Sequence, residues 1–533
     1  MSRVARTSLP WSMVALLAMS AAGCSSYDEA MLSGGAYEDD DWNGVDDPSG
    51  GEGGGGDEGP AGGGDEPAGG DDGGGEPPPA EPDDDGVDNG AGEAEVCDAS
   101  QDVTLYLSPD DSNSMSSPVQ ARSSVLDEWG GVQMVAIRTW EFFNYYHFGY
   151  PAAEAGTLAV HPSLQEGEAA GEYLLQIGVS SEEIADEARA PINITLVLDT
   201  SGSMAGEPME MLKESCRAIA ASLREGDTIS MVTWATDDAQ VLGGHVVAGP
   251  DDPVLLAKID ALEASGGTDL HGGLVAGYEL AQQVFDAGRI NRIVLVSDGG
   301  ANAGITDIEL IAEHAGAANQ HGIYMVGVGV GDALGYHDDL MDLVTDAGKG
   351  ASVFIPSADE AWKVFNEDFG ATLAVAARDV RVQLDLPPGF EIVSTSAEEV
   401  SLDAAEVEPQ HLAPNDAMVF HQRIRTCAPE LIDAQSTVTV TVSYLDALSF
   451  EPEQVQLSRP LLELLEADQA PLLKGAAVFA YAEGLKAYKQ ADLGGRSATM
   501  SGALAALERA EAVLPDDPEL AEIRAVLEAL ALR

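Results

Sequence analysis

The chain has 533 residues, with 92 Asp and Glu against 25 Lys and Arg, giving a formal net charge of −67. At about 100–200 residues per domain, that length allows two to four domains with a full buried core. A hydrophobic share of 45% is ordinary for globular protein, so the acidity does not mean disorder throughout. The charge excludes nucleic-acid binding, because no Lys/Arg cluster is available to neutralise phosphates and the field of the whole molecule repels them. Four cysteines exclude a disulfide scaffold.

In chain order, Arg3 and Arg6 precede an apolar stretch over 11–22, and Ala21-Ala22-Gly23 leads into Cys24. A basic start, a short apolar run and small residues before the break make a signal peptide over residues 1–23. About a dozen apolar residues are too few for a bilayer core that needs ~20. The Cys directly after Ala-Gly resembles a bacterial lipobox. That resemblance implies cleavage before Cys24, acylation of Cys24 and lipid anchoring in the cell envelope. With Ser25 following, it implies the outer membrane of a Gram-negative cell, on the periplasmic or the surface face. Several acyl chains on one cysteine hold a protein on a membrane stably, where one chain does not.

Residues 24–96 are Gly, Asp, Glu, Pro and Ala with almost no apolar side chains, and from Ser25 onward carry no Lys or Arg. Such a stretch cannot bury enough surface to offset its ordering entropy, and its like charges repel, so it is expected to be an extended linker. Asp39-x-Asp41-x-Asn43-Gly44 matches the opening of a calcium loop, but Gly50 stands where the bidentate Glu belongs.

Residues 97–189 read as a small N-terminal domain. Within it Trp140, Phe143 and His147 share one helical face, stopped by Gly149 and Pro151. From 190 to 376 apolar strands alternate with amphipathic helices. Strands are expected at 192–198, 228–234, 240–247, 292–296, 323–330 and 352–355. Helices are expected at 207–224, 254–262, 270–285, 308–319 and 338–345, with a closing helix at 360–373. This order predicts an α/β domain with a doubly wound, mostly parallel sheet covered on both faces. Ligands of such sheets sit at the carboxyl ends of the strands, where the winding reverses.

Three polar loops fall at those ends. They are Asp199-Thr200-Ser201-Gly202-Ser203, Gly266-Gly267-Thr268-Asp269 and Ser297-Asp298-Gly299-Gly300. Carboxylates and hydroxyls are hard oxygen donors that suit magnesium, manganese or calcium better than zinc. Taken one at a time, the loops are ordinary N-cap and turn chemistry; their coincidence in one domain is not. Together they resemble the metal-ion-dependent adhesion site of the von Willebrand factor type A domain, matched by Asp199, Ser201, Ser203, Thr268 and Asp298. With the stretch 137–151 before it, the chain also resembles the YfbK-like von Willebrand A lipoproteins of bacteria over roughly residues 105–450.

That resemblance implies a Rossmann-like fold and a Mg2+ ion (or Mn2+ or Ca2+) held by those five residues. It further implies one coordination position left for an Asp or Glu of a protein ligand. The alternative is a structural or assembly protein of the envelope in which the metal only stabilises the loops. An enzyme is not expected: there is no His-Glu-x-x-His, no Gly-x-Ser-x-Gly elbow, and no base beside Ser201 or Ser203. Cys216, on an apolar helix face, reads as a core thiol. Cys97 and Cys427 could pair in an oxidising compartment.

Beyond the α/β domain, 380–386 and 438–444 alternate apolar and polar as half-buried antiparallel strands do. A β-sandwich-like module is expected over 377–460. Ala-rich segments punctuated by Gly494-Gly495 and Pro515-x-x-Pro518 predict a helical hairpin or bundle over 461–533.

Overall fold

The computed structural model describes residues 102–533, apart from 110–112, 128–129, 168, 186–187, 300–321, 334–335 and 337. The predicted signal peptide, Cys24, the acidic linker, Cys97 and the predicted helix at 308–319 lie outside the described residues.

The chain opens with β1 (Val103–Ser108), α1 (Ser116–Leu126), α2 (Thr139–Tyr145), β2 (Ala159–Glu166) and β3 (Glu172–Ser180). The central domain follows: β4 (Ile192–Asp199), α3 (Glu207–Ser222), β5 (Thr228–Trp234), β6 (Asp238–Val246), α4 (Pro253–Asp260), α5 (Leu270–Gln283), β7 (Ile290–Ser297), β8 (Ile323–Val330), α6 (Asp338–Ala347), β9 (Ser352–Ile355), α7 (Ala358–Trp362) and α8 (Phe369–Leu373). Its six-stranded sheet has the order β6-β5-β4-β7-β8-β9, parallel except for the edge strand β6. β4, β7 and β8 are buried at every position, which is why they read as unbroken apolar runs rather than alternating ones.

Helix starts in this domain carry their own caps. The Asp252 carboxylate accepts from the N–H groups of Val254 and Leu255 ahead of Pro253, and Asp269 accepts from Gly272. Cys216 is buried and free, as its apolar helix face predicts, and burial pushes its thiol up to about 12.

The closing helix departs from expectation. In place of one helix over 360–373, α7 and α8 are joined by a wide π turn over Lys363–Glu367. The Asp368 N–H donates to Lys363 O at 2.8 Å, skipping Val364, and the Thr372 hydroxyl takes the freed Val364 carbonyl at 2.9 Å. Turn and compensation together keep Phe365 and Phe369 buried.

The remaining strands are β10 (Ala377–Leu386), β11 (Phe390–Thr395), β12 (Glu399–Ser401), β13 (Gln410–Leu412), β14 (Ala417–Thr426), β15 (Thr437–Asp446) and β16 (Pro452–Pro460). They do not form a sandwich alone, and residues 97–189 do not form a domain alone. One sheet runs β12-β1-β10-β15-β16, with β13 also on β10, and the other runs β11-β14-β3-β2. Val103 pairs with Leu386 and Val179 with Met418, so early and late strands are neighbours in both layers. Leu107, Leu164 and Ile177 share a core with Leu384, Phe420 and Val440. The central domain is therefore inserted into a single sandwich. Each half exposes a sheet edge and an apolar face that only the other covers.

Helices α9 (Ala470–Gln490), α10 (Arg496–Glu511) and α11 (Pro518–Ala531) pack on α1, α2 and the β14–β3 layer. Phe142 meets Tyr481 edge to face at 5.2 Å, and Phe143 stacks on Phe148 at 5.5 Å. The aromatic stretch is thus mainly core, with Trp140 half-buried and His147 exposed and paired to Glu519. Cys427 is disulfide-bonded. No helix among the described residues is long and apolar enough to cross a membrane.

Beneath α9, His421 is buried with Nδ1 2.8 Å from Gln176 Oε1, and burial lowers its pKa to about 4. Its folded pKa lies below the unfolded value near 6.5, so its contribution is complete above pH ~6.5 and is lost as pH falls through 4. Denaturant titrations from pH 7 to 4 should show stability falling, by up to roughly 3 kcal/mol from this group. The part of that fall due to this imidazole should disappear in His421→Gln. An unchanged pH profile in the variant would remove His421 as the cause.

Candidate functional site

The candidate site lies at the carboxyl ends of β4 and β7, adjacent strands between which the winding reverses. β4 runs first outward to β5, and the chain later returns to place β7 on its other side. That is where side chains from consecutive loops converge above an open sheet edge.

Asp199 ends β4 and is fully buried. Its Oδ1 accepts the Ser201 N–H at 2.8 Å and its Oδ2 accepts the Ser297 hydroxyl at 2.7 Å. Burial pushes its pKa up to about 6, opposed by those hydrogen bonds and assisted by the nearby negative charge of Asp298. The Ser201 and Ser203 hydroxyl oxygens stand 3.0 Å apart, the first buried and the second exposed. A short 3-10 turn over Gly202–Met204 places them side by side.

The second loop is tied onto the first by backbone. Gly202 N–H donates to Gly266 O at 3.1 Å, and Ser265 N–H to Thr200 O at 2.7 Å. Gly267 N–H donates to the Thr236 hydroxyl at 2.8 Å, and Asp269 N–H to Ala235 O at 2.8 Å. Thr268, buried, sits between those last two anchors. Gly266 takes φ +88°, a conformation that costs a glycine nothing. Asp298 follows the last residue of β7 and is half-buried, and Gly299 N–H returns to the Ser297 hydroxyl at 3.2 Å.

The loops bearing all five predicted side chains therefore meet at one end of the sheet. Cys24 lies outside the described residues. Two contributors were not assigned from the sequence: Ser297, which fixes the Asp199 carboxylate, and Thr236, which holds the glycine loop. Ser297 was legible as a hydroxyl directly before the second Asp; Thr236 carried no signal in its local sequence.

Behind the second loop, α5 approaches the sheet closely because Gly273 and Gly277 face it. A Cβ on Gly273 would stand 2.4 Å from Trp234 Cγ, and one on Gly277 2.4 Å from Val197. Gly273→Ala is expected to cost about 1–3 kcal/mol by overpacking. It should also displace Thr268, five residues upstream. Denaturation and Mn2+ titration of the same variant measure both, and an unchanged melting temperature would count against the close packing.

The donors fit a hard divalent cation. Among the described residues no group of three or more His, Cys, Asp or Glu side chains could hold a metal. This set of three hydroxyls and two carboxylates suits oxygen-seeking ions and not zinc.

Fold and loops together are similar to those of a von Willebrand factor type A domain. The family model described as von Willebrand factor type A domain matches residues 194–301, from the first strand of the sheet to just past Asp298. The chain is similar to YfbK of Escherichia coli K12, 32% identical over 218 residues, covering 41% of this chain and 37% of that protein. It is 24% identical over 295 residues to sll0103 of Synechocystis, covering 54% and 65%. It is 26% identical over 232 residues to inter-alpha-trypsin inhibitor heavy chain H2 of Sus scrofa, covering 40% and 24%. The matched part is thus less than two thirds of each of these relatives. A solved von Willebrand factor type A protein from Catenulispora acidiphila superposes with a TM-score of 0.44 at 16% identity, covering 67% of this chain and 87% of that one.

Proposed function

We propose that this protein is a non-enzymatic binding module whose von Willebrand A domain holds a divalent cation, Mg2+ first, and through it takes an Asp or Glu carboxylate of a protein ligand. Domains of this kind commonly bind such a metal and mediate protein–protein contacts. The observation that carries the reading is the 3.0 Å separation of the Ser201 and Ser203 oxygens. Neighbouring oxygens of a magnesium octahedron with ~2.1 Å bonds stand about 3.0 Å apart, so the two hydroxyls are already spaced as adjacent ligands.

Asp199 supports the assignment differently. Both of its carboxylate oxygens already accept protein hydrogen bonds, so it serves by charge and through water, while Ser201, Ser203 and Thr268 offer direct oxygens. Two carboxylates neutralise the ion without saturating it. A bound cation would supply Lewis acidity toward an incoming carboxylate, and Ser203 and Gly202 lie on the exposed side from which a partner arrives.

The residues 1–24 place this module, in our reading, on the cell envelope by a lipid at Cys24, with the acidic stretch as spacer. Long-range repulsion between the acidic surface and an acidic partner is screened beyond ~8–10 Å at physiological salt, leaving the short metal–carboxylate bond to decide. The test is capture of partners from envelope extract with Mg2+, with EDTA, and with Asp298→Ala. Capture lost in both latter arms supports the reading. Capture unchanged by chelator, with only the melting temperature lowered, would leave the metal a structural role and overturn it.

A further inference from the structure

The chain carries 92 acidic residues against 25 Lys and Arg, and among the described residues the other buried Lys and Arg are paired. Arg189 meets Asp227 at 2.6 Å, Arg122 meets Glu360 and Glu522, and Lys474 meets Asp517 and Glu519. Arg292 on β7 and Arg378 on β10 break the pattern. They are 5% and 4% exposed, and neither forms an ion pair among the described residues. Arg292 donates from Nε to Leu373 O at 2.9 Å and from Nη2 to Ala374 O at 3.4 Å, and Arg378 from Nε to Ala447 O at 2.6 Å.

Both guanidinium groups lie against one ring, Tyr324, at 5.5 and 4.8 Å, and His411 of β13 meets the same ring edge-on at 4.4 Å. Arg378 also helps to hold down the pKa of the Asp446 carboxylate. That carboxylate is taken by the Ser449 hydroxyl and N–H.

Two donors here are left unsatisfied. Asp379 N–H donates to His411 Nδ1 at 3.2 Å, so in the neutral ring Nε2 carries the proton. That Nε2 is buried without a hydrogen-bond partner, and so is Arg378 Nη1. Arg292 and His411, together with Lys349 and Asn113, line a cavity of about 60 Å³ between the central domain and the sandwich. A buried donor left without an acceptor costs about 1–3 kcal/mol, more when charged. Glu360, Asp368 and Asp416 also line this cavity, with Glu360 taken by Arg122, but none of them forms an ion pair with Arg292 or Arg378 among the described residues.

We infer that this junction binds a small oxyanion from solution, of phosphate or sulfate class, received by Arg292, His411 and Lys349 with Arg378 stacked behind the same tyrosine. The volume fits one such ion in place of roughly two waters. The anion would join residues of the sheet (Arg292, Tyr324) to residues of the sandwich (Arg378, His411), closing a seam that otherwise gathers like charge. The same crowding shows in the ionisation of the groups. Burial first, then Arg292, Arg378 and Lys349, hold the His411 imidazole well below its usual range, and burial and Arg378 lower Arg292 to about 10. This site is separate from the metal loops, and its test does not depend on them.

The experiment is calorimetric titration of the full chain with sodium sulfate and with sodium phosphate, at ionic strength held constant with sodium chloride. One saturable site is expected, weakened at least tenfold in Arg378→Gln and in His411→Phe. Arg425→Gln, in an exposed pair with Glu391, should leave it unchanged. Melting curves establish that each variant is folded, and His411→Phe carries the test if Arg378→Gln is not. On saturation the His411 ring nitrogen resonances of the wild type should move. No saturable heat in the folded wild type, equal affinity in the His411 variant, or a signal that chloride reproduces would each overturn the inference and leave the cavity to water.

Discussion

Addition of Mg2+ to chelator-treated protein should raise the melting temperature by several degrees, and Asp199→Ala should abolish that rise. A ligand at one hundred times its Kd stabilises the form that binds it by about 2.7 kcal/mol. The linked loops of β4, α5 and β7 would share that gain, since Gly202–Gly266 and Asp199–Ser297 tie them together. Asp199 is the sensitive position because it is fully buried beside Asp298 and held by Ser201 and the Ser297 hydroxyl rather than by a cation of the protein. Ser203→Ala, which removes an exposed hydroxyl without touching the core, should weaken Mn2+ binding with little change in the metal-free melting temperature. A metal-induced shift of equal size in wild type and Asp199→Ala would place the cation elsewhere.

Loss of Arg122 should be the other large effect. Its guanidinium reaches Glu360 at 2.5 Å, Glu522 at 2.8 Å and the Tyr145 hydroxyl at 2.8 Å. The Lys363 ammonium also donates to that hydroxyl at 2.8 Å. One side chain of α1 thereby ties α2, the closing helix α7 and the last helix α11. Removing one partner of a buried pair costs about 3–5 kcal/mol, because the other charge stays buried and unpaired. Arg122→Met is expected at the lower end, about 3 kcal/mol, since Arg122 and Glu522 retain some solvent contact. Arg122→Met with Glu360→Gln should recover a large part, which separates charge from packing. Calorimetry should show central domain and helical cap shifting together; a shift confined to one transition would show that the tie is not shared.

Local chemistry made much of the central domain readable. Runs such as 323–330 and 352–355 were expected at the bounds the structure shows, because strands buried on both faces have no polar interruptions to blur them. The closing helix was misread because a π turn leaves no mark in apolar periodicity. Val364 O is satisfied by Thr372, a contact across two turns that spacing rules do not register. The sandwich was misread for a larger reason. Alternation in 380–386 announces a half-buried strand but not its partner, and β10 lies between β1, from nearly three hundred residues earlier, and β15.

The oxygen-bearing side chains of the proposed cation site were set by the sequence itself, since Asp, Ser and Thr at strand-to-helix turns carry their chemistry wherever the loops go. So were the parallel sheet, whose buried strands need apolar runs, and the acidic character of the whole. Only the tertiary structure decided that the two flanks are one sandwich and that Ser297 fixes Asp199. It alone decided that two arginines and a histidine meet around the ring of Tyr324. Those outcomes depend on which distant surfaces exclude water from each other, and burial of that kind belongs to the packed molecule and to no local stretch of it.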